Sequence, residues 1–131
     1  MVLVVLTYSP TNSEILPMQI TLMSSKIHHA TVTQADLNYQ GSISVDSEIL
    51  EKSGIIPHQQ VDVVNINNGE RFTTYAIEAP KGSKEIKING AAARKAQVGD
   101  KVIIISYAIF EVNEAKSFEP NIIILGEGNS F

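Results

Sequence analysis

The tripeptide Asn67-Asn68-Gly69 constrains this chain more than any other short segment. It separates residues 61–66 from residues 71–77, two runs rich in β-branched and aromatic side chains. Asn and Gly tolerate positive φ, so the spacing predicts a β-hairpin. Similar short signals recur along the chain. Residues 19–23 and 27–33 read as half-buried strands, with apolar or β-branched alternation, and residues 42–45, 85–88 and 121–125 as further strands. Residues 101–110 carry the run Val102-Ile103-Ile104-Ile105, as expected of a strand buried on both faces. Asp46 can cap a short helix over 47–53 that Gly54 stops. Residues 91–96 form a helix-prone turn, and the tail from Gly126 to Phe131 reads as mobile. Many short strands with one or two short helices point to a mainly β fold of the closed-barrel kind, which leaves no exposed sheet edge.

At 131 residues the chain suits one core. It has no cysteine, which excludes disulfides, thiolate metal sites and a cysteine nucleophile. The net charge of −4 argues against general affinity for nucleic acid or for an anionic membrane. Residues 1–17 open with Met1-Val2-Leu3-Val4-Val5-Leu6, too short to span a bilayer and without the basic start of a secretory signal. This segment reads as an N-terminal extension of unknown role. Residues 18–131 read as a single domain.

The chemistry centres on Ala35-Asp36-Leu37-Asn38-Tyr39-Gln40-Gly41-Ser42. A serine hydroxyl beside a glycine carbonyl can attack it when the turn is strained and the oxyanion is held, although a Gly-Ser pair alone is ordinary turn chemistry. Three further blocks accompany it. Lys26-Ile27-His28-His29 lies upstream, and Arg71-Phe72-Thr73-Thr74-Tyr75 follows the hairpin turn. Ile88-Asn89-Gly90-Ala91-Ala92-Ala93 comes next, before Val98-Gly99-Asp100. In this order and at these separations the blocks resemble the pyruvoyl-dependent aspartate 1-decarboxylase family, from about Met18 to Leu125.

That resemblance implies a double-psi β-barrel assembled as a homotetramer in the cytoplasm. It implies scission between Gly41 and Ser42 into a β chain (1–41) and an α chain (42–131) whose first residue becomes a pyruvoyl group. L-aspartate would form a Schiff base with that group and lose CO2 to give β-alanine, a step of pantothenate biosynthesis. Decarboxylation needs an electron sink, and pyridoxal phosphate is the usual one. The chain lacks the Gly-rich strand-to-helix loops that cradle phosphate, and the resemblance implies neither that cofactor nor a metal.

The resemblance also assigns roles. Ser42 is the pyruvoyl precursor and Tyr75 the proton donor. Thr74 and Asn89 serve processing. Arg71, Lys26, His28, Asn89, Gly90, Ala91 and Ala92 bind substrate, the two cations answering the two carboxylates of aspartate. A metal held by His28 and His29 is a poor reading, because neighbouring strand residues point apart. Thr74 and Tyr75 should also face opposite ways, which is awkward if both serve one cavity. Two alternatives stand beside this reading: a non-catalytic β-barrel module that binds a partner, and a precursor that stays whole until a maturation protein acts.

Overall fold

A computed structural model describes residues 18–131; the extension at 1–17 lies outside the described residues. Eight strands form one mixed sheet: β1 (Gln19–Thr31), β2 (Gln34–Asp36), β3 (Ser42–Asp46), β4 (Gln60–Asn65), β5 (Arg71–Ala79), β6 (Ile86–Asn89), β7 (Lys101–Glu111) and β8 (Asn121–Ile124). Their order across the sheet is β2-β6-β3-β5-β4-β7-β1-β8. Three neighbouring pairs run parallel, namely β1/β8, β2/β6 and β3/β5. The architecture is that of a double-psi β-barrel, with no ladder joining its edge strands β2 and β8. Instead the segment after β1 ties in through its backbone: Val32 N–H donates to Asp100 O at 2.9 Å and Thr33 N–H to Ile86 O at 2.8 Å.

The core is aliphatic. Ile27, Ile43, Val45, Val61, Val63, Ile86, Ile88, Val102 and Ile104 are all fully buried, every second residue of their strands. Helix α1 (Ser47–Ser53) closes one end with Ile49 and Leu50, and α2 (Val112–Ala115) follows β7.

Several expectations change here. The two strands expected over 19–33 are one long strand, interrupted by irregularities between Met23 and Ser25 and between Ile27 and Ala30. Strand β7 is buried on one face only: Val102, Ile104 and Ser106 point inward and their neighbours are partly open. The tail is anchored rather than mobile. Asn129 is fully buried, and its side chain accepts from Thr31 N–H at 2.7 Å and donates to Thr31 O and Lys84 O.

Asp46 ends the strand that begins with Ser42, and it is fully buried. One carboxylate oxygen accepts from Glu48 N–H at 2.9 Å, capping α1, and from Gly82 N–H at 3.0 Å. The other accepts from Lys84 N–H at 2.8 Å. Burial alone would raise the pKa of Asp46, but these backbone donors and the Lys84 charge hold it below its ordinary value. A depressed carboxylate pKa stabilises the fold above the unfolded value of 3.8, and that contribution fades as pH falls through the folded value. Asp46→Ala is therefore expected to lose about 3 kcal/mol at neutral pH, from a cap and two further charge-assisted bonds. Denaturant melts should find the gap to wild type narrowing as pH drops below 3.8; a gap independent of pH would contradict the assignment.

Candidate active site

Ser42 opens β3 directly opposite Asn89, the last residue of β6. Both are buried, Ser42 to 2 % exposure and Asn89 completely. Asn89 Nδ2 donates to Ser42 Oγ at 2.8 Å and to Ser44 Oγ at 3.0 Å. Asn89 Oδ1, also buried, has no partner among the described residues. The Ser42 hydroxyl lies 3.5 Å from Gln40 O, at the limit of a hydrogen bond. An N–H aimed at Oγ stabilises negative charge there, which favours attack by that oxygen on a neighbouring carbonyl.

Asn89-Gly90 is a hairpin-type dipeptide, yet it makes no hairpin here. Gly90 has φ +78° and starts the 3-10 turn Gly90–Arg94. A Cβ on Gly90 would sit 2.7 Å from Gly41 Cα, 2.9 Å from Gly41 N and 3.1 Å from Tyr39 O. The backbone at Gly90 thus backs directly onto the glycine that precedes Ser42, and only a residue without a side chain permits that approach. Beside it, Ala91 is exposed and Ala92 half-buried against the core. Tyr39 is exposed, with the Lys87 ammonium 4.3 Å above its ring.

The parallel β3/β5 ladder removes the conflict between Thr74 and Tyr75. Ile43 pairs with Ala76. Carried back one residue, still within both strands, that register sets Ser42 beside Tyr75, and Gly41 lies just before β3. The β4/β5 ladder runs unbroken through both residues, so they do face opposite ways. Thr74 is half-buried on the glycine side. Tyr75, 39 % exposed, lies on the serine side with its ring 6.4 Å from that of His58.

Arg71 shares the face of Tyr75 but stands four residues away, about 13 Å along the strand. Its guanidinium lies 3.7 Å from Asp62, which also accepts a hydrogen bond from the Thr73 hydroxyl at 2.7 Å. Lys26 belongs to the same face through a row of antiparallel pairs, Lys26 with Ile105, Ile105 with Asp62, and Asp62 with Thr73. Measured along the curved sheet, four strand spacings, about 19 Å, separate β1 from β3. The fold therefore brings Ser42, Gly41, Asn89, Gly90, Thr74 and Tyr75 together. Among the described residues no hydrogen bond or ion pair joins Lys26, Arg71 or His28 to them.

His28 and His29 do not point apart. His29 has φ +61° at the irregularity in β1, and the two rings stack with centroids 4.1 Å apart. Burial, then the positive charges of His29 and Lys26, lower the pKa of His28, and its buried Nδ1 has no partner. Two neighbours were not foreseen from the sequence: Ser44 beneath Asn89 and Asp62 beside Arg71. Ser44 carried a usable signal, since it lies two residues from Ser42 on one strand face.

Residues 18–131 match the sequence model of the family described as aspartate decarboxylase. Over 112 residues, 86 % of this chain, it is 62 % identical to the aspartate 1-decarboxylase of Maricaulis maris, covering 93 % of that protein. It is 58 % identical over the same length to the aspartate 1-decarboxylase of Phenylobacterium zucineum, covering 95 %, and 56 % identical to that of Carboxydothermus hydrogenoformans, covering 88 %.

Proposed function

The chain belongs to the aspartate decarboxylase family, and from that premise we propose that it cuts itself between Gly41 and Ser42 and then decarboxylates L-aspartate to β-alanine. The observation that carries the reading is the buried Ser42 hydroxyl held by Asn89, with Gly90 pressed against Gly41. Ser42 Oγ adds to the Gly41 carbonyl carbon, and its proton passes to the departing Ser42 nitrogen, leaving an ester. Thr74, alongside Gly41, donates to the carbonyl oxygen as charge develops on it. Loss of the Ser42 α-proton with breakage of its Cβ–O bond frees Gly41 as a carboxylate. One water then releases the nitrogen as ammonia and leaves a ketone at the head of the α chain.

The surroundings suit a pyruvoyl group in that place. Asn89 Nδ2 is a buried donor aimed at the Ser42 position, where a carbonyl oxygen can accept from it, and the cradle at Gly90 has no side chain. When present, the group supplies a carbonyl that condenses with the substrate amine and draws in the electrons released as CO2 departs. Asn89 holds the group, and Tyr75, on the face of Ser42, returns a proton to the former α-carbon. Arg71 takes a substrate carboxylate in place of Asp62, an exchange that costs little because the guanidinium is solvent-exposed.

Lys26, Arg71 and His28 share no hydrogen bond or ion pair with Ser42, Asn89 or Tyr75 among the described residues, and in the homotetramer that the family implies neighbouring copies would complete each site. The family's place in pantothenate biosynthesis and a cytoplasmic setting accord with this activity. No helix among the described residues is long and apolar enough to cross a membrane. The test is CO2 release from L-aspartate by the purified protein, and a processed chain that releases none overturns the proposal. Tyr75→Phe is expected to be cut normally but to lose about a hundredfold in kcat, the size of a general-acid contribution. Unchanged turnover in single-substrate kinetics would remove Tyr75 from the mechanism.

A further inference from the structure

We infer that Ser44 is a positioning residue for the self-cleavage, acting through Asn89; this rests on the reading of Ser42 as the residue that cuts the chain. The Asn89 amide nitrogen carries two protons, and both are used: one reaches Ser42 Oγ at 2.8 Å and the other Ser44 Oγ at 3.0 Å. Nothing holds the other end of the amide, because Oδ1 is buried without a partner. The terminal torsion of an asparagine side chain is intrinsically soft. The two serine hydroxyls alone therefore set the rotation of this one.

Geometry makes the second hydroxyl useful. Ser42 and Ser44 are two residues apart on β3 and so share a face, and Asn89 lies opposite Ser42 in the antiparallel register. The amide plane is thus spanned between two fixed points on one strand. With Ser44 in place, the remaining N–H is directed at the attacking oxygen. Without it, the amide turns away, or turns over so that Oδ1 accepts the Ser42 hydroxyl proton. The second arrangement holds Ser42 in its protonated, unreactive form. Ser44 is itself buried, and its side chain makes no other hydrogen bond among the described residues, so this contact is its one polar task in the protomer.

The experiment follows newly translated full-length chain through a chase, with the uncut fraction read by intact mass. Ser44→Val and Ser44→Thr have nearly the same shape and differ in the hydroxyl. Ser44→Thr is expected to cleave within about twofold of wild type, and Ser44→Val about fivefold to tenfold more slowly, the scale of one lost hydrogen bond. Ser44→Ala, which imposes no added bulk, should be slowed to the same extent and reads the effect if the valine variant does not fold. Equal cleavage of wild type, the threonine variant and the alanine variant overturns the role of Ser44 while leaving Ser42 as the cutting residue. Slowing of threonine and alanine variants alike assigns the effect to packing and also overturns it. A wild-type chain that is never cut removes the scission reading itself, and the role of Ser44 with it.

Discussion

Ser42→Ala is expected to remain a single chain and to release no CO2 from aspartate. In the proposed reaction one side-chain oxygen both attacks Gly41 and then leaves Cβ, the step that lets Cα become the ketone, so the loss is complete rather than graded. The substitution should cost the fold little. The Ser42 hydroxyl contributes one short hydrogen bond and a second at the 3.5 Å limit, and Asn89 Nδ2 keeps its other partner in Ser44; the expected destabilisation is about 1–2 kcal/mol. Intact mass, a thermal melt and an aspartate assay on one preparation separate the outcomes. A folded Ser42→Ala protein with full activity would remove the self-made cofactor from the account.

Gly90→Ala should be nearly as damaging, for a steric reason. The new Cβ would lie 2.7 Å from Gly41 Cα and 2.9 Å from Gly41 N, both backbone atoms that cannot swing aside as a side-chain tip can. The scissile loop must shift, and Gly41 leaves its place beside Ser42 and Thr74. A displacement of this size at reacting atoms is expected to slow cleavage by about a hundredfold. Gly69→Ala is the control. Its φ of +77° matches the +78° of Gly90, but nothing lies within 4 Å of a Cβ there. Both variants bear the cost of a left-handed conformation, and only Gly90→Ala should lose cleavage in a pulse-chase. Equal cleavage by the two would show that the contact between Gly90 and Gly41 is incidental.

Local signals made much of the fold legible. The hairpin turn at Asn67-Asn68-Gly69 joins β4 to β5, and α1 runs over Ser47–Ser53 between the Asp46 cap and the Gly54 stop. In both cases short-range chemistry suffices: positive φ for the turn, a side-chain acceptor and a left-handed glycine for the helix. Features set by distant parts of the chain were not legible. Asn129 looked like part of a frayed tail because its partners, Thr31 and Lys84, lie far away in sequence. The irregularity at His29 stacks two rings that strict alternation would separate.

The site divides along the same line. The blocks around Ser42, Arg71 and Asn89 stand out in the sequence, but the way they meet depends on register. Only the parallel pairing that begins with Ile43 and Ala76 brings the Thr74-Tyr75 step toward the start of β3. The contact of Gly90 with Gly41 is a tertiary fact with no local signature, and the spacing that puts Ser44 on the face of Ser42 does not announce its bond with Asn89. Asp62 could not be anticipated either, since its approach to Arg71 follows from the β4/β5 pairing.

Intact mass spectrometry of the purified wild-type protein under denaturing conditions tests the central claim most directly. The account predicts two chains split after Gly41, the second one ammonia lighter than a chain beginning with serine. A single whole chain, or a second fragment that keeps its serine nitrogen, would contradict it.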